Sequence, residues 1–190
     1  MKCIVLKELF CQPLKDFRLQ YSVNPTYLRS CNNFTPIMQN IALFPGSFDP
    51  MAIGHEDILR RALPLFDWII IGIGHNSKKQ SLFPLQQRLS WIESIFSDVD
   101  NIEVTYYEGL TVDFCKQRGI QYILRGLRNS SDFEMERQVA QLNHQMKGIE
   151  TVSLITKPEY SHISSTIVRE IYTNKGDISS FVPQVIANVQ

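Results

Sequence analysis

One hundred and ninety residues, 44 % of them hydrophobic and 20 % charged, describe one soluble domain of ordinary size or one domain with an appendage. Nineteen basic and nineteen acidic side chains give a formal net charge of zero, which argues against a broad electrostatic grip on nucleic acid. No apolar run approaches the roughly 18 residues of a membrane span. Cys3, Cys11, Cys31 and Cys115 show no paired metal-ligand spacing, so free thiols in a reducing cytoplasm are expected rather than a disulfide framework.

Charge is uneven along the chain. Residues 1–37 hold five basic and two acidic residues, and the remainder holds fourteen and seventeen. Pro13, Pro25 and Pro36 interrupt that first segment, no hydrophobic period persists in it, and its apolar patch is too short for a secretory core. Residues 1–38 are therefore expected to be an N-terminal extension, disordered or non-native, ahead of a domain spanning 39–190. Translation starting at Met38 is one explanation, and an N-terminal arm that packs on a neighbour is the other.

From Ile41 the chain alternates strand and helix. Ile41 to Phe44 reads as a short buried strand, broken by Pro45 and Gly46. A helix follows from Gly54 to Leu63, with Ile58, Leu59, Ala62 and Leu63 on one face and Pro64 as its stop. Trp68 to Ile73 is a continuous apolar run, as expected of a parallel strand covered on both faces. Leu85, Leu89, Ile92 and Phe96 mark a second helix, and Ile102, Val104 and Tyr106 alternate as a strand. Thr111 to Arg118 forms a helix with Gly119 as its stop, and Gln121 to Leu124 another strand.

Ser131 and Glu134 make a capping box for a long helix. Met135, Val139, Leu142 and Met146 recur on its expected core side, with Gly148 at its end, while Asp132, Glu136 and Asn143 line an opposite polar face. Val152 to Ile155 is a fifth strand. A further helix is capped by Ser164 or Ser165, turns Ile167, Val168 and Ile171 inward, and closes at Gly176; a last short helix follows Asp177. Five strands alternating with helices predict a Rossmann-like α/β fold, a doubly wound five-stranded parallel sheet with helices on both faces. Ligands of such sheets sit at the carboxyl ends of the strands. That end collects the loops 45–55, 74–81, 107–111, 125–132 and 156–165.

These loops are cationic and rich in hydroxyls. The first carries Gly46, Ser47 and His55, where a strand feeds a glycine-containing loop and a helix N-terminus, an arrangement suited to phosphate. Lys78 and Lys79 follow in the second, which is equally the composition of a solvated loop. Arg125 and Arg128 bracket Gly126 and Leu127 after a buried strand, and forked guanidiniums match phosphate oxygens. Ser161, Ser164, Ser165 and Thr166 stand at a helix start, where serine also serves as an ordinary cap. No catalytic triad, zinc cluster, Walker sequence or Gly-x-Gly-x-x-Gly follows from the spacing. A site without its own nucleophile suits direct displacement between two bound phosphates.

Pro-Gly-Ser-Phe-Asp-Pro-x-x-x-Gly-His at 45–55, Ser-Lys-Lys at 77–79, Arg-Gly-Leu-Arg at 125–128 with Asp-Phe-Glu-x-Glu at 132–136, and Ile-Ser-Ser-Thr at 163–166 resemble the nucleotidyltransferase superfamily. The block from 125 to 136 is the specific part, and with it the chain resembles the bacterial phosphopantetheine adenylyltransferases over about residues 39–185. The resemblance implies adenylyl transfer from ATP to 4′-phosphopantetheine, with dephospho-coenzyme A and pyrophosphate as products, Mg²⁺ accompanying ATP, and a homohexamer in the cytoplasm. It implies catalytic roles for His55, Lys78 and Arg125, His55 stabilising the transition state. ATP would be held by Ser47, Phe48, His55, Gly126, Leu127, Arg128, Glu136, Tyr160, Ser161, His162, Ile163, Ser164, Ser165 and Thr166. The acceptor would be held by Ser47, Lys78, Leu110, Thr111, Arg125 and Asn143, with no protein-held metal. Neither a nucleic acid nor a membrane is an expected partner.

The chain departs from the family at Ala52, where threonine or histidine is usual, and at Ser47, where threonine is usual. Another nucleotidyltransferase, acting on nicotinate mononucleotide or transferring cytidylyl, is the alternative enzyme. A non-catalytic nucleotide-binding module is the alternative of another class.

Overall fold

A computed structural model of the chain describes residues 39–74 and 80–187. The expected N-terminal extension and Lys78 lie outside the described residues. Five strands, β1 (Ile41–Gly46), β2 (Trp68–Gly74), β3 (Ile102–Tyr107), β4 (Tyr122–Leu127) and β5 (Glu150–Ile155), form one sheet. Between and after them run α1 (Ile53–Ala62), α2 (Leu85–Ile95), α3 (Thr111–Arg118), α4 (Ser130–Lys147), α5 (Ser165–Thr173) and α6 (Gln184–Ala187). The strand order is β3-β2-β1-β4-β5 and every pairing is parallel. The chain winds outward from β1 to β3, then returns to the other side of β1 with β4. That reversal opens a crevice at the carboxyl ends of β1 and β4.

Strand alternation divides the core between the two faces. Ala42, Phe44, Ile69, Ile71, Ile73 and Leu124 pack on one side with Ile58, Leu59, Ile92, Val168 and Ile186, from α1, α2, α5 and α6. Leu43, Ile70 and Ile123 point to the other side, against Val112 and Cys115 of α3 and Ile149. Burial pushes the Cys115 thiol up to about 11, so it serves as a small apolar side chain.

The structure corrects several expected boundaries. Pro45 and Gly46 do not break the first strand; they stay in register with Gly72 and Ile73 of β2. β4 likewise continues through Arg125, Gly126 and Leu127, which pair with Ser153, Leu154 and Ile155. These three residues are therefore strand rather than loop. Asn129, not Ser131, caps α4: its side chain accepts the Asp132 N–H at 2.9 Å, which starts the helix earlier than the capping box would. Ile167 is exposed on α5 while Val168 is fully buried. That helix ends at Thr173, and Lys175 rather than Gly176 takes the positive φ, of 61°.

The largest reversal concerns α4. Met135, Val139, Leu142 and Met146, expected in the core, are all exposed, and the one buried residue of the helix is Glu136. The helix turns its polar face toward the crevice because Glu136 finds a guanidinium there, that of Arg125.

Candidate active site

At the carboxyl ends of β1 and β4 two cavities adjoin. The first, about 330 Å³, extends from His55 to the start of α5. The second, about 380 Å³, extends toward Tyr107, Thr111, Asn143 and Thr151. Pro45, Gly46, Ser47, Arg125, Met135 and Glu136 line both, so the partition between them is the end of β1 with the Arg125–Glu136 pair.

The loop after β1 is held by its carbonyls. Arg125 Nη1 donates to Pro45 O at 2.8 Å, Arg88 Nη1 to Ser47 O at 2.5 Å, and Arg169 Nη1 to Asp49 O at 2.8 Å. Ser165 Oγ donates to Pro50 O at 2.7 Å. Three of these four donors are cations, so the loop's carbonyl lone pairs are occupied and positive charge gathers around it. Both effects favour an anion. The Asp49 carboxylate accepts the N–H groups of Leu82 and Phe83, each at 2.9 Å, which anchors the loop to the start of the α2 segment. Phe48 adopts a φ of 42° with its ring against Gly46, where an added Cβ would lie 2.7 Å from the ring. Glycine at 46 is thus fixed by close approach.

His55 sits in the first turn of α1, edge-on to the Phe48 ring at 5.5 Å. Its Nδ1 accepts the Ala52 backbone N–H at 3.0 Å. Ala52 is the N-cap residue and offers no side-chain acceptor, so the histidine supplies the side-chain contact of the cap. The imidazole pKa is pushed down to about 4, first by burial, then by the nearby charges of Arg128 and Arg125. The ring is therefore neutral, and with Nδ1 accepting, its proton resides on Nε2 as a donor. Not every N–H of the helix start faces the crevice: that of Ile53 donates to Phe181 O at 3.0 Å.

The remaining cations are braced by carboxylates. Arg125 pairs closely with the buried Glu136. Arg128 engages Asp132 through Nε at 2.9 Å and Nη2 at 3.2 Å. That pairing holds the Asp132 carboxyl below the ordinary range. At the start of α5, Ser164 Oγ accepts the Ile167 N–H at 3.2 Å as the cap, and Arg169 Nη2 donates to Thr166 Oγ1 at 2.9 Å.

The structure brings Ser47, Phe48, His55, Gly126, Arg128, Glu136, Tyr160, Ile163, Ser164, Ser165 and Thr166 to the first cavity. Ser47, Arg125, Thr111 and Asn143 line the second. It does not bring Leu127, Ser161, His162 or Leu110 to either. Leu127 is buried at the end of β4, Ser161 turns its hydroxyl back to Pro158 O, His162 is exposed, and Leu110 is exposed ahead of α3.

Sequence reasoning missed Arg169, Arg88 and Tyr107. Arg169 follows Ser165 by four residues on the same helix face, a spacing that could have been read. Arg88 had no such signal, because a lone arginine on an amphipathic helix reads as solvated. Tyr107, whose hydroxyl lies 2.8 Å from Thr111 Oγ1, ends an alternating strand and gave no chemical cue.

Residues 43–171 match the family model described as cytidylyltransferase-like. The chain is 49 % identical over 150 residues to the phosphopantetheine adenylyltransferase of Cytophaga hutchinsonii, covering 78 % of this chain and 100 % of that protein. It is 49 % identical over 145 residues to that of Flavobacterium psychrophilum, covering 76 % and 96 %. Among solved structures, a NadR protein in complex with NR aligns with a TM-score of 0.54 at 17 % identity, over 78 % of this chain and 44 % of that one, a likeness of fold. A parallel sheet reversing at β1 and β4, a histidine in the first helical turn after β1 and this degree of identity along nearly the whole length of those relatives carry one conclusion: the chain belongs to the phosphopantetheine adenylyltransferase family, within the cytidylyltransferase-like nucleotidyltransferases.

Proposed function

We propose that the protein transfers the adenylyl group of ATP to 4′-phosphopantetheine, giving dephospho-coenzyme A and pyrophosphate in coenzyme A biosynthesis. The observation that carries the mechanistic reading is the meeting of two cavities at Ser47, Gly46, Arg125 and Glu136. ATP occupies the first, its phosphates between His55, Arg128 and the Ser164–Thr166 turn. The pantetheine arm occupies the second, beside Thr111 and Asn143, with its phosphate at the partition. Lys78, four residues beyond the end of β2 in the sequence, is assigned to the acceptor phosphate.

The acceptor needs no general base. A phosphate monoester has its second pKa near 6, so at neutral pH it is already a dianion. Its oxygen attacks the α-phosphorus of ATP, the bond from that phosphorus to the bridging oxygen breaks, and pyrophosphate leaves with the electron pair. What the protein supplies is alignment and charge. The Nε2 proton of His55 stabilises the charge that builds at the α-phosphorus, and its neutrality keeps that proton in place as a donor. Arg125 and Arg128 lower the cost of bringing two anions together.

Mg²⁺ enters as the counter-ion of ATP. Among the described residues no group of three or more histidine, cysteine, aspartate or glutamate side chains is placed to hold a metal, and Asp132 and Glu136 are committed to arginines. This donor set fits an ion that arrives on the nucleotide's phosphates. The enzyme works in the cytoplasm as a homohexamer; no helix among the described residues is long and apolar enough to cross a membrane.

Pyrophosphate release from ATP tests the reading, measured with 4′-phosphopantetheine, with nicotinate mononucleotide, and with no acceptor. Release with phosphopantetheine alone is expected. Release with nicotinate mononucleotide instead would overturn the acceptor, and none with any acceptor would reduce the protein to a nucleotide-binding module.

A further inference from the structure

One side of α1 faces the segment that joins β5 to α5. Gly54, Asp57 and Arg61 are spaced three and four residues apart, which puts them on one face of the helix. They meet the segment in reverse order. A Cβ placed on Gly54 would lie 3.4 Å from the Tyr160 Cβ, so the helix approaches Tyr160 closely. Asp57 Oδ1 takes Lys157 Nζ at 2.7 Å, and Arg61 Nη1 donates to Ile155 O at 2.9 Å. The same Arg61 nitrogen donates to Asp57 Oδ2 at 3.1 Å.

A pair at i and i+4, such as Asp57 with Arg61, is ordinarily a solvated helix face. Asp57 is different: only 11 % of its side chain is exposed, and each carboxylate oxygen has its own cation. Burial works against its charge, and the hydrogen bonds from Lys157 and Arg61 outweigh it, so the carboxyl stays below the usual range. Lys157 carries the connection onward. Its ammonium lies 5.9 Å from the Tyr160 ring centroid, and its carbonyl accepts the Tyr160 N–H at 3.0 Å, opening the 3₁₀ turn Pro158–Tyr160. The Tyr160 carbonyl in turn accepts the Ile163 N–H at 3.0 Å. Tyr160 and Ile163 line the first cavity, as do Gly54 and His55, whereas Asp57, Arg61 and Lys157 do not.

We infer that Asp57 is a positioning residue for the nucleotide: through Lys157 it fixes the Tyr160 wall of the first cavity against the helix that carries His55. The inference rests on the reading of that cavity as the ATP site. Lys157 is 45 % exposed, and pairs with one partner so open to solvent contribute little to overall stability. The effect of this pair falls on the spacing between His55 and Tyr160, and therefore on nucleotide affinity. The second cavity has no wall from α1 or from the 155–160 segment, so acceptor binding is untouched.

The test is calorimetric ATP binding to the full chain, with steady-state kinetics and thermal midpoints on the same preparations. Asp57→Asn keeps the shape but leaves one amide oxygen for two cations. It weakens ATP binding by about five-fold or more, and holds the KM for 4′-phosphopantetheine and kcat at saturating ATP within about two-fold. Lys157→Met matches it, and the double variant is no weaker than either single one. Lys157→Arg binds ATP as the wild type does. Wild-type ATP affinity in Asp57→Asn overturns the inference. So does additivity in the double variant, or Lys157→Arg as weak as Lys157→Met. A loss of thermal stability that raises both KM values together marks a merely structural pair and overturns it as well. Binding is read without turnover. A chain that transfers nothing to phosphopantetheine, yet loses ATP affinity in Asp57→Asn, sinks the functional reading and leaves the positioning role standing.

Discussion

The backbone N–H of Ala52 donates to Nδ1 of His55 across 3.0 Å, and this contact decides which nitrogen of the ring can face a phosphate. It leaves Nε2 with the proton. Replacing His55 with alanine removes that donor from the transition state, and loss of one preorganised donor of this type costs about 3–4 kcal/mol of barrier. Turnover should fall by two to three orders of magnitude while ATP still binds weakly. Steady-state kinetics with calorimetric ATP binding checks this; unchanged turnover removes His55 from the chemistry.

The same residue makes a prediction about pH. Its folded pKa of about 4 lies below the ordinary histidine value of 6.5, so between these values the unfolded chain binds the extra proton. Stability from this group is complete above about pH 6.5 and is lost as pH falls toward 4, by up to about 3 kcal/mol. The thermal midpoint of the wild type should drop over that window by more than that of His55→Gln. Equal drops would mean that the imidazole titrates normally. For the same reason turnover should show no His55 titration between pH 6 and 8.

Ala52 leaves α1 without a side-chain acceptor at its cap. Ala52→Ser introduces a small hydroxyl that can take a free N–H of the first turn, a contribution of about 1 kcal/mol, or about 2–4 °C in the thermal midpoint of a domain this size. Scanning fluorimetry measures the gain. Because Ala52 lines the first cavity, a lowered KM for ATP is expected as well. A destabilised variant would show that the pocket around Ala52 cannot admit one oxygen.

Arg125 and Glu136 form the partition between the cavities, and each is costly without the other. Glu136→Gln leaves Arg125 partly buried beside a neutral amide and should cost about 2 kcal/mol of stability, less than a fully buried pair because the guanidinium keeps some contact with solvent. Arg125→Met should cost a similar amount, and the double variant less than the sum. A double-mutant cycle by denaturant unfolding reads the coupling; strict additivity would show that the two side chains do not depend on each other.

The sheet, its order of elements and most of the site loops were legible in the sequence, because alternation between apolar strands and capped amphipathic helices leaves few topologies. Arg-Gly-Leu-Arg was read correctly as lying at a strand's carboxyl end, although the strand runs through its first three residues. The orientation of α4 was not legible. A stripe of Met135, Val139, Leu142 and Met146 records only that one face is apolar, not whether the core or another surface covers it. Glu136 ran against the expectation that acids stay outside, and its partner Arg125 lies eleven residues away on a different element. Long-range pairing of that kind leaves no periodic trace. Arg88 was invisible for the same reason, since its partners are backbone carbonyls.

Arg88 gives the last prediction. It is 2 % exposed, and no carboxylate forms an ion pair with it among the described residues; its guanidinium donates to Ser47 O and, at 3.0 Å, to Phe83 O. Burial holds its pKa below the usual arginine value, though it stays protonated at neutral pH. A buried cation aimed at the phosphate loop does two things: it fixes the carbonyl of Ser47, and it adds positive potential behind the anion site. Arg88→Met removes both and leaves the two carbonyls without their donor, at about 1–3 kcal/mol each. Arg88→Lys keeps the charge but cannot span both carbonyls with a fork. If Arg88 positions the loop for catalysis, the lysine variant should recover much of the thermal stability while kcat stays depressed at least ten-fold. If its part is only structural, kcat will return in step with the thermal midpoint.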